Sequence, residues 1–450
     1  MKIETLYEIF LKYGKVSTDS RSVDKDSIFF ALKGTNFNGN KYASEALEKG
    51  AAVCIVDEKE YYNTNDSRFI LVDDCLKTLQ DLAAFHRSKF NFPVIGITGT
   101  NGKTTTKELI AGALSLKYKV KATSGNLNNH IGVPLSLLSV NNIHNTDFCI
   151  IEMGANHVGE IASLCEIAKP NYGIITSIGK AHLEGFGSLE NIIKTKLELY
   201  NFIDKTKGSL FINLCNEILI KNLPNNTTNI FYKDISKKIE NLKVQGHEIT
   251  NSVDIFCSGR LDETTMNLSF DWQTKRSEKV FHVEGKMYGR YNFINMLAAA
   301  CIGNYFDVSG EDITQYLSNF ESDNNRSQII KINSNTIVSD AYNANPSSME
   351  VALDTFNEIK VSNKILILGD MFELGNDTEK EHKKILDKLR SMNVEKVILI
   401  GKNFQQLNSE YETYLTVDEA IQNFNIQELE NKNILIKGSR GMRLEKLIKI

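Results

Sequence analysis

The residues best suited to chemistry lie in the segment GITGTNGKTTT, residues 96–106, where three glycines precede Lys103 and Thr104. The apolar run VIGIT (94–98) leads into this segment, and an amphipathic helical pattern follows it from 103 to 116. Backbone N–H groups of such a loop can face phosphate oxygens, Lys103 can bridge the β- and γ-phosphates, and the Thr104 hydroxyl can bind Mg²⁺. The spacing therefore predicts a nucleotide-phosphate loop between a strand and a helix.

This loop departs from the common pattern GxxxxGK[ST] at its first position. That pattern needs glycine where this chain has Ile97, so a generic P-loop kinase is disfavoured. A turn that only caps a helix is the other interpretation, but the strand and the helix both stand where phosphate binding needs them. The residues expected to contact the nucleotide here are Thr98, Gly99, Thr100, Asn101, Gly102, Lys103, Thr104 and Thr105.

A carboxylate and an imidazole are associated with two further apolar runs. Glu152 comes directly after FCII (148–151), so its carboxylate is expected to project from a strand end toward the phosphate loop. His182 lies in the loop that follows GIIT (173–176). Phosphoryl transfer gathers negative charge, which Mg²⁺ offsets by binding oxygen ligands. Glu152 is thus a candidate metal ligand, with a solvated strand-end charge as the alternative, and a lone loop histidine is more often only hydrogen-bonded.

Polar residues that could contact a nucleotide recur toward the C-terminus. Asn292 and Asn295 are three apart in the string NFIN, so their amides could read an adenine edge, unless Asn292 only caps the helix. Arg326 has a planar fork that suits phosphate. Asp340 and Asn343 end a strand and begin a turn. They are expected to contact ribose or phosphate, with an Asx-type turn as the alternative.

Positioning these residues requires more than one hydrophobic core. The 450 residues are 42% apolar and 24% charged, which suggests about three domains. Short apolar runs alternate with helical stretches, and several end in Gly or Asp, as strands that feed ligand-facing loops often do. We therefore predict an α/β fold with a small N-terminal α/β domain (1–91), a central P-loop-type domain with a parallel sheet (92–310) and a C-terminal Rossmann-like domain (311–450). The polar, alternating stretch 225–280 predicts antiparallel strands or loops attached to the central domain.

Charge and cysteine usage exclude several classes of protein. Lys+Arg 52 and Asp+Glu 56 give a formal net charge of −4, too near balance for a protein that mainly coats nucleic acid or anionic membrane. The seven cysteines include no CxxC pair, which argues against a disulfide framework or a Cys-rich zinc site. Glu4 and Glu8 interrupt the opening segment, and no stretch reaches the ~18 apolar residues of a membrane span. We therefore expect a cytoplasmic protein with no nucleic-acid partner and no membrane insertion.

The loop variant TGTNGKT (98–104) resembles the ATP loop of the Mur ligases, which extend the peptide of the bacterial cell-wall precursor by ATP-driven amide formation. The resemblance continues along the whole chain. STDSR (17–21) and FFALKG (29–34) are similar to the uridine-nucleotide segment of that family, and GNLNNHIGVP (125–134) to its sugar-pyrophosphate loop. SIGKAHLEGFGS (177–188) resembles part of its metal and substrate wall. ATP and Mg²⁺ are therefore the implied cofactors.

Three strings indicate one branch of this family. EMGA (152–155), AYNANPSSM (341–349) and LGDMFELG (368–375) are similar to the ligases that join D-alanyl-D-alanine to UDP-N-acetylmuramoyl-tripeptide through an acyl phosphate. The resemblance implies these two substrates, and a monomer is expected. Another amide ligase of the family, or a non-catalytic nucleotide-binding sensor of cell-wall precursors, is the alternative. No motif indicates whether the third residue of the acceptor peptide is diaminopimelate or lysine.

The resemblance also implies roles for individual residues. His182 in the AHL motif and Lys196 in KTKLELY would complete a metal site with Thr104 and Glu152. Family members carbamylate the lysine of the matching K-x-E string with CO₂, and Glu198 stands at that spacing. Carbamylation needs a neutral amine, so burial must lower the pKa of Lys196 from its reference value of about 10.4. The residues alone would instead indicate a solvated lysine on an amphipathic helix. The implied catalytic residues are Lys103, Glu152, His182 and Lys196.

Candidate substrate-binding residues lie in three separate segments of the chain. Lys437 and Arg440, in KGSRGMRLE, could hold the carboxylate of the incoming dipeptide or be solvated basic residues. Relatives often have histidine where this chain has Tyr291, so a role for that histidine does not transfer. The full candidate set is Ser20, Arg21, Lys33, Asn126, Asn128, Asn129, Lys437 and Arg440.

Overall fold

Three larger sheets, each flanked by helices, organise the residues that the computed structural model describes. Those residues are 1–237, 254–262, 267–322, 325–407 and 410–448, with the backbone of 243–244 and 247–248. The α/β class predicted from the alternation of apolar runs and helical stretches is confirmed.

The N-terminal sheet is parallel and has the strand order β1-β2-β5-β6. Its inner strands are buried along their whole length, as expected for apolar runs covered on both faces. The elements of this part of the chain are α1 (Ile3–Tyr13), β1 (Val16–Ser17), β2 (Ile28–Phe30), β3 (Lys33–Gly34), β4 (Phe37–Asn38), α2 (Ala43–Glu48), β5 (Val53–Val56), β6 (Phe69–Leu71) and α3 (Cys75–Arg87).

Helix α3 fixes this first part of the chain to the central sheet. The buried guanidinium of Arg87 donates to the carbonyl oxygens of Ala168 (2.8 Å) and Lys169 (2.7 Å). It also donates to Oδ1 of Asn171 (3.0 Å). Each of these hydrogen bonds crosses from the first domain to the central one, so the two share a polar anchor inside an apolar contact.

We expect the melting temperature to fall as the pH drops below about 6.5, because burial disfavours the protonated form of two histidines. His86 lies between the Tyr7 hydroxyl and the Val140 carbonyl, and His382 accepts the N–H of Met371. Burial lowers the pKa of both rings from the usual 6.5. A histidine with a lowered folded pKa stabilises the fold fully above the unfolded pKa, and this stability is lost as the pH falls.

Thermal melts between about pH 8 and pH 5.5, above the range where carboxylates titrate, measure this loss. His86→Gln should flatten the pH dependence. The control His157→Gln alters an exposed ring and should leave the slope unchanged. A melting temperature that stays constant across this range would contradict the prediction.

The central sheet has the strand order β17-β16-β15-β12-β11-β10-β7-β9-β8. Neighbouring strands pair in parallel from β15 through β12, β11, β10, β7 and β9 to β8, and β15, β16 and β17 form an antiparallel extension. The elements of this part of the chain are β7 (Val94–Thr98), α4 (Lys103–Ser115), β8 (Val120–Ala122), α5 (Gly132–Leu138), β9 (Phe148–Glu152), α6 (Glu160–Ala168), β10 (Tyr172–Ile175), α7 (Leu183–Phe186), α8 (Leu189–Thr206), β11 (Ser209–Asn213), α9 (Glu217–Lys221), β12 (Thr228–Asp234), β13 (Lys243–Val244), β14 (His247–Glu248), β15 (Ile255–Asp262), β16 (Asn267–Thr274), β17 (Phe281–Tyr288), α10 (Arg290–Tyr305) and α11 (Gly310–Asn319). Strands β13 and β14 pair with each other in a separate two-stranded antiparallel sheet.

The antiparallel prediction for 225–280 is confirmed for β15 and β16, whereas β12 joins the sheet in parallel. Other residues of that stretch lie outside the described part of the chain, namely 238–242, 245–246, 249–253 and 263–266. Helix α11 begins at the predicted boundary of 310 but packs on this sheet, where Trp272 Nε1 donates to Thr314 (3.1 Å). We propose that the third domain begins after this helix.

The C-terminal sheet has the order β18-β19-β23-β20-β21-β22, with only β18 antiparallel among the described strands. Its register sets Asp340 opposite Lys437 at the carboxyl ends of two neighbouring strands. Its elements are β18 (Gln328–Ile332), β19 (Asn335–Asp340), α12 (Pro346–Glu358), β20 (Lys364–Gly369), α13 (Thr378–Leu389), β21 (Lys396–Ile400), α14 (Lys402–Leu407), β22 (Glu412–Tyr414), α15 (Val417–Asn423) and β23 (Asn433–Lys437). Among the described residues, no helix has the length and apolarity that a membrane crossing requires.

Candidate active site

The predicted phosphate loop connects the end of β7 to the start of α4. Gly99 has φ +147°, and a Cβ there would lie 2.1 Å from Thr176 Oγ1. Gly102 has φ +82° and occupies the N-cap of α4 without any side-chain cap. The loop therefore needs glycine at both positions, and the first N–H groups of the helix stay available to a ligand.

Lys103 lies within this loop. Its Nζ donates to the carbonyl oxygens of Gly99 (2.7 Å) and Thr100 (3.1 Å). Burial lowers the pKa of Lys103, the negative charge of Glu152 opposes that change, and the positive charge of Arg326 adds to it. The ammonium group is thus held beside the loop backbone, where the charges of Glu152 and Arg326 both act on it.

Glu152 forms a node where several elements meet. Its side chain is almost fully buried, and Oε1 accepts from the Thr104 hydroxyl (3.2 Å) and the Asn128 amide (2.7 Å). Its own N–H donates to the Thr123 hydroxyl (3.0 Å). Sheet register sets Glu152 beside Ile97, one residue before the loop. The alternative of a solvated strand-end charge is therefore wrong.

The other carboxylate oxygen of Glu152 suits a cation. Oε2 is buried and has no hydrogen-bond partner among the described residues. Within the same residues, no three His, Cys, Asp or Glu side chains are grouped so that they could hold a metal by themselves. A hard cation at Glu152 would need further oxygen donors, such as the Thr104 hydroxyl and nucleotide phosphates. The donor set fits Mg²⁺ bound together with a nucleotide.

His182 lies on the wall of the same cleft, at the start of α7. Its backbone has φ +50°, and its Nδ1 lies against the carboxylate of Glu373, which belongs to the third domain. The structure therefore places this predicted ligand between two domains.

Lys196 is buried on α8, with 3% of its surface exposed. Burial and the positive charge of Lys103 lower the pKa of Lys196 to about 7, against smaller opposing effects of Glu160 and Glu198. Both oxygens of Glu198 accept backbone N–H groups near the start of α6, at 2.8 Å each. The solvated alternative for Lys196 is wrong, because its side chain faces the protein interior.

The two asparagines of α10 lie under the phosphate loop. Asn295 Oδ1 accepts from the Thr106 hydroxyl (3.1 Å), and its amide donates to Oδ1 of Asn292 (3.0 Å). The Asn292 amide donates to the Tyr288 carbonyl (2.8 Å). Because the N-cap of α10 is Gly289, the helix-capping alternative for Asn292 is wrong. Both asparagines line the cleft, which is compatible with contact to adenine, and the adenine-reading role stays a prediction.

The third domain contributes a polar cluster to the cleft. Buried Lys437 donates to Asp340 (2.6 Å), so it is not a solvated residue. Asn343 Oδ1 accepts the next backbone N–H (2.9 Å), as in the local-turn alternative, and the residue also lines the cleft. The guanidinium carbon of Arg326 lies 3.5 Å from the centroid of the Tyr342 ring.

The substrate candidates lie in three places. Asn126, Asn128 and Asn129 line the cleft. Two others lie in ion pairs on the first domain, Arg21 with Asp19 (2.7 Å) and Lys33 with Asp57 (3.1 Å), away from the cleft lining. Ser20 is buried near them, and Arg440 is exposed and donates to the Tyr342 hydroxyl (3.0 Å).

All three domains contribute to the cleft, whose volume is about 1870 Å³. Its walls include α3 of the first domain, the phosphate loop and Glu152 of the second, and the start of α12 of the third. Direct contacts join the second and third domains, from Asn345 to Asn101 (2.8 Å) and from Lys180 N–H to Ser347 (2.8 Å). This size and this set of walls suit ligands that bridge domains.

One residue near Glu152 was not predicted from the sequence as part of the site. Lys107, on α4, is buried, donates to the Thr123 carbonyl (2.7 Å) and lies 4.0 Å from Oε2 of Glu152. It stands one helical turn after Lys103, so its position on the same helix face was the available signal. Lys107 ties the helix of the phosphate loop to the segment that leads into the asparagine-rich loop.

The comparisons with known proteins agree with this architecture. The family models that match are the Mur ligase family catalytic domain (residues 12–87), the Mur ligase middle domain (97–303) and the Mur ligase glutamate ligase domain (325–440). The chain belongs to the Mur ligase family.

Similar relatives share one name. The UDP-N-acetylmuramoyl-tripeptide--D-alanyl-D-alanine ligase of Bacillus subtilis (strain 168) is 32% identical over 456 residues, covering 98% of this chain and 94% of that protein. The ligase of the same name from Escherichia coli (strain K12) is 30% identical over 440 residues, covering 96% of this chain and 92% of that protein.

Solved structures with the same fold carry a related name. A crystal structure of MurF from Acinetobacter baumannii matches with a TM-score of 0.81 at 26% identity, over 97% of this chain and 92% of that one. MurF ligase from Thermotoga maritima, crystallised in complex with ADP, shows the same fold with a TM-score of 0.82 at 24% identity, over 98% of this chain and 97% of that one.

Proposed function

We propose that this chain is the ATP-dependent ligase that joins D-alanyl-D-alanine to UDP-N-acetylmuramoyl-tripeptide, giving the pentapeptide, ADP and phosphate. One observation carries the proposal: a loop built for phosphates and a buried carboxylate meet at a cleft walled by all three domains. The similarity to ligases of that name, 32% and 30% identity over nearly the full length, supports the choice of substrates.

The first step makes the acceptor carboxylate reactive. A carboxylate oxygen of the tripeptide attacks the γ-phosphorus of ATP, the bond from that phosphorus to the bridging oxygen breaks, and ADP leaves. Lys103 and the N-terminus of α4 stabilise the negative charge of the moving phosphoryl group.

The second step forms a C–N bond between the acyl carbon and the free amine of the dipeptide. The C–O bond to phosphate breaks, phosphate keeps the electron pair, and the amine proton leaves to solvent.

Four side chains are proposed to hold Mg²⁺ during this chemistry. The cation would neutralise phosphate charge when bound. The contact between Thr104 and Glu152 supports a shared role, and His182 on the cleft wall and Lys196 on α8 would be the further ligands. Lys196 would serve as a carbamate, since its lowered pKa of about 7 leaves a large fraction of neutral amine to react with CO₂.

Nucleotide and substrate contacts follow from the cleft lining. Asn292 and Asn295 are proposed for the adenine end, and Arg326, Asp340 and Asn343 for ribose and phosphates. Three groups of residues are proposed to bind the substrates. The first two are Ser20, Arg21 and Lys33, and Asn126, Asn128 and Asn129. The third, Lys437 and Arg440, would hold the incoming dipeptide. A cytoplasmic location and a monomeric state stay predictions.

The decisive experiment measures phosphate release from ATP with UDP-N-acetylmuramoyl-tripeptide and D-alanyl-D-alanine. We expect one phosphate per pentapeptide, and label exchange between ADP and ATP when the dipeptide is omitted, because the acyl phosphate forms first. Phosphate release that needs no tripeptide would indicate a plain ATPase. A preference for L-amino acids would move the chain to another branch of the family, and nucleotide binding without turnover would favour a sensor.

A further inference from the structure

The string LGDMFELG, residues 368–375, begins in β20 and continues into a loop that has both buried and exposed side chains. Met371 and Leu374 are buried to within 2% of full burial, whereas Phe372 and Glu373 between them are exposed. Two buried apolar side chains therefore anchor the loop and leave the residues between them exposed.

Polar contacts fix the same loop from beneath. The Met371 N–H donates to Nε2 of buried His382 (3.0 Å), and the Phe372 N–H donates to Ser439 Oγ (2.9 Å). The buried carboxylate of Asp370 accepts two backbone N–H groups at the start of α14, at 2.9 Å and 3.1 Å. A loop supported in this way holds its exposed residues in one position.

Glu373, at the exposed part of this loop, contacts the central domain. Its carboxylate lies against Nδ1 of His182, and its carbonyl oxygen accepts the N–H of Glu184 (3.2 Å). Close packing continues at Gly375, where a Cβ would lie 3.3 Å from the Cα of Glu184. Nearby, Lys180 Nζ lies 3.1 Å from the buried carboxylate of Glu381, so third-domain carboxylates hold the His182 segment on both sides.

Backbone conformation marks both partners of this contact. His182 has φ +50° and Glu373 has φ +62°, in the left-handed region that side chains disfavour. Such conformations persist where the surrounding structure over-determines them, and they concentrate at functional sites. Here one strained residue from each domain meets the other.

We propose that Glu373 is a positioning residue that orients His182 across the domain contact. With Nδ1 turned to the carboxylate, Nε2 is the nitrogen left to serve the cleft. Because the carboxylate comes from the third domain, the ring is fixed only while that domain is docked. This inference rests on the proposed function, since it gives His182 a task in the same reaction.

Substituting Glu373 tests the role in turnover. Glu373→Ala is expected to lower kcat and raise the Mg²⁺ concentration needed for half-maximal rate, each by roughly 10-fold to 100-fold, with little change in KM for ATP. Glu373→Gln keeps an oxygen that can accept from Nδ1–H and should recover part of the loss. Glu379→Ala, which removes an exposed acid from α13 of the same domain, should match wild type.

Hydrogen exchange tests the contact without turnover. The amide of Glu184 should exchange slowly in wild type and faster in Glu373→Ala. In a His182→Ala background, where the partner ring is gone, Glu373→Ala should add no further acceleration. Unchanged exchange and Mg²⁺ requirement in Glu373→Ala, or equal acceleration in both backgrounds, would overturn the proposal. An inactive wild type would instead count against the proposed function, and the exchange data would still decide the role of Glu373.

Discussion

Replacing Lys103 with alanine is expected to lower kcat by about 10² to 10³, which corresponds to about 3 to 4 kcal/mol of transition-state stabilisation. The reason is geometric, because two loop carbonyls hold the ammonium group where phosphate charge is expected to develop. Water that enters the gap cannot supply a fixed positive charge, so the phosphoryl group would move without its counter-charge. Single-turnover formation of ADP from ATP and the UDP-tripeptide measures this step directly.

The control for this experiment is Lys117→Ala. Lys117 follows the far end of α4, is exposed, and donates to the Asp307 carbonyl (2.9 Å). Lys117→Ala should keep kcat within a factor of two of wild type. The melting temperatures of both variants should stay close to that of wild type. A Lys103→Ala enzyme that also keeps kcat within a factor of two would show that the loop is only structural.

Lys196→Ala is expected to be nearly inactive, and a small carboxylate such as acetate or formate should restore part of the rate. If Lys196 acts as a carbamate, alanine removes an oxygen donor and leaves a buried gap that a diffusible acid can fill. Rescue should be confined to this variant, because Lys103→Ala lacks a cation and Glu152→Ala lacks a strand-anchored ligand. A fully active Lys196→Ala would refute the carbamate assignment.

The chain provides a matched control on the same helix. Lys194 lies two residues before Lys196 and is exposed, so Lys194→Ala should behave like wild type. The pH dependence gives an independent measurement. Because the pKa of Lys196 is about 7, protonation below that pH removes the neutral amine that reacts with CO₂. Native mass spectra should therefore show less of the CO₂ adduct as the pH falls, and wild-type activity should fall with it.

Local sequence predicted the parts of the site that depend on short-range rules. The strand VIGIT (94–98) is β7 to the residue, and the helix after it begins at Lys103. Glu152 lies at a strand end beside the loop because parallel strands bring their carboxyl ends to one edge. These elements are determined by apolar runs and glycine positions within a few residues of one another.

Contacts between residues far apart in the sequence determine the features that local sequence left ambiguous or predicted wrongly. The periodicity of α8 places Lys196 on the same face as Ile192 and Leu199, but a charged side chain favoured a solvated interpretation, and its burial depends on elements far away in the chain. Lys437 was ambiguous for the same reason, because its partner Asp340 lies on another strand nearly a hundred residues earlier. The string containing Glu373 was recognisable, but its contact with His182 exists only once two domains meet.

The anchor formed by Arg87 has a consequence for how the chain unfolds. A fragment ending near residue 91 would strand this guanidinium on an apolar helix face, and the carbonyl groups of Ala168 and Lys169 would lose their donor in the remainder. Separating the pieces would also expose to water the apolar faces with which α3 packs on α5 and α6, so neither piece is a natural folding unit. The first and central domains should therefore melt in a single cooperative transition, and a calorimetric trace should resolve at most the third domain from that pair.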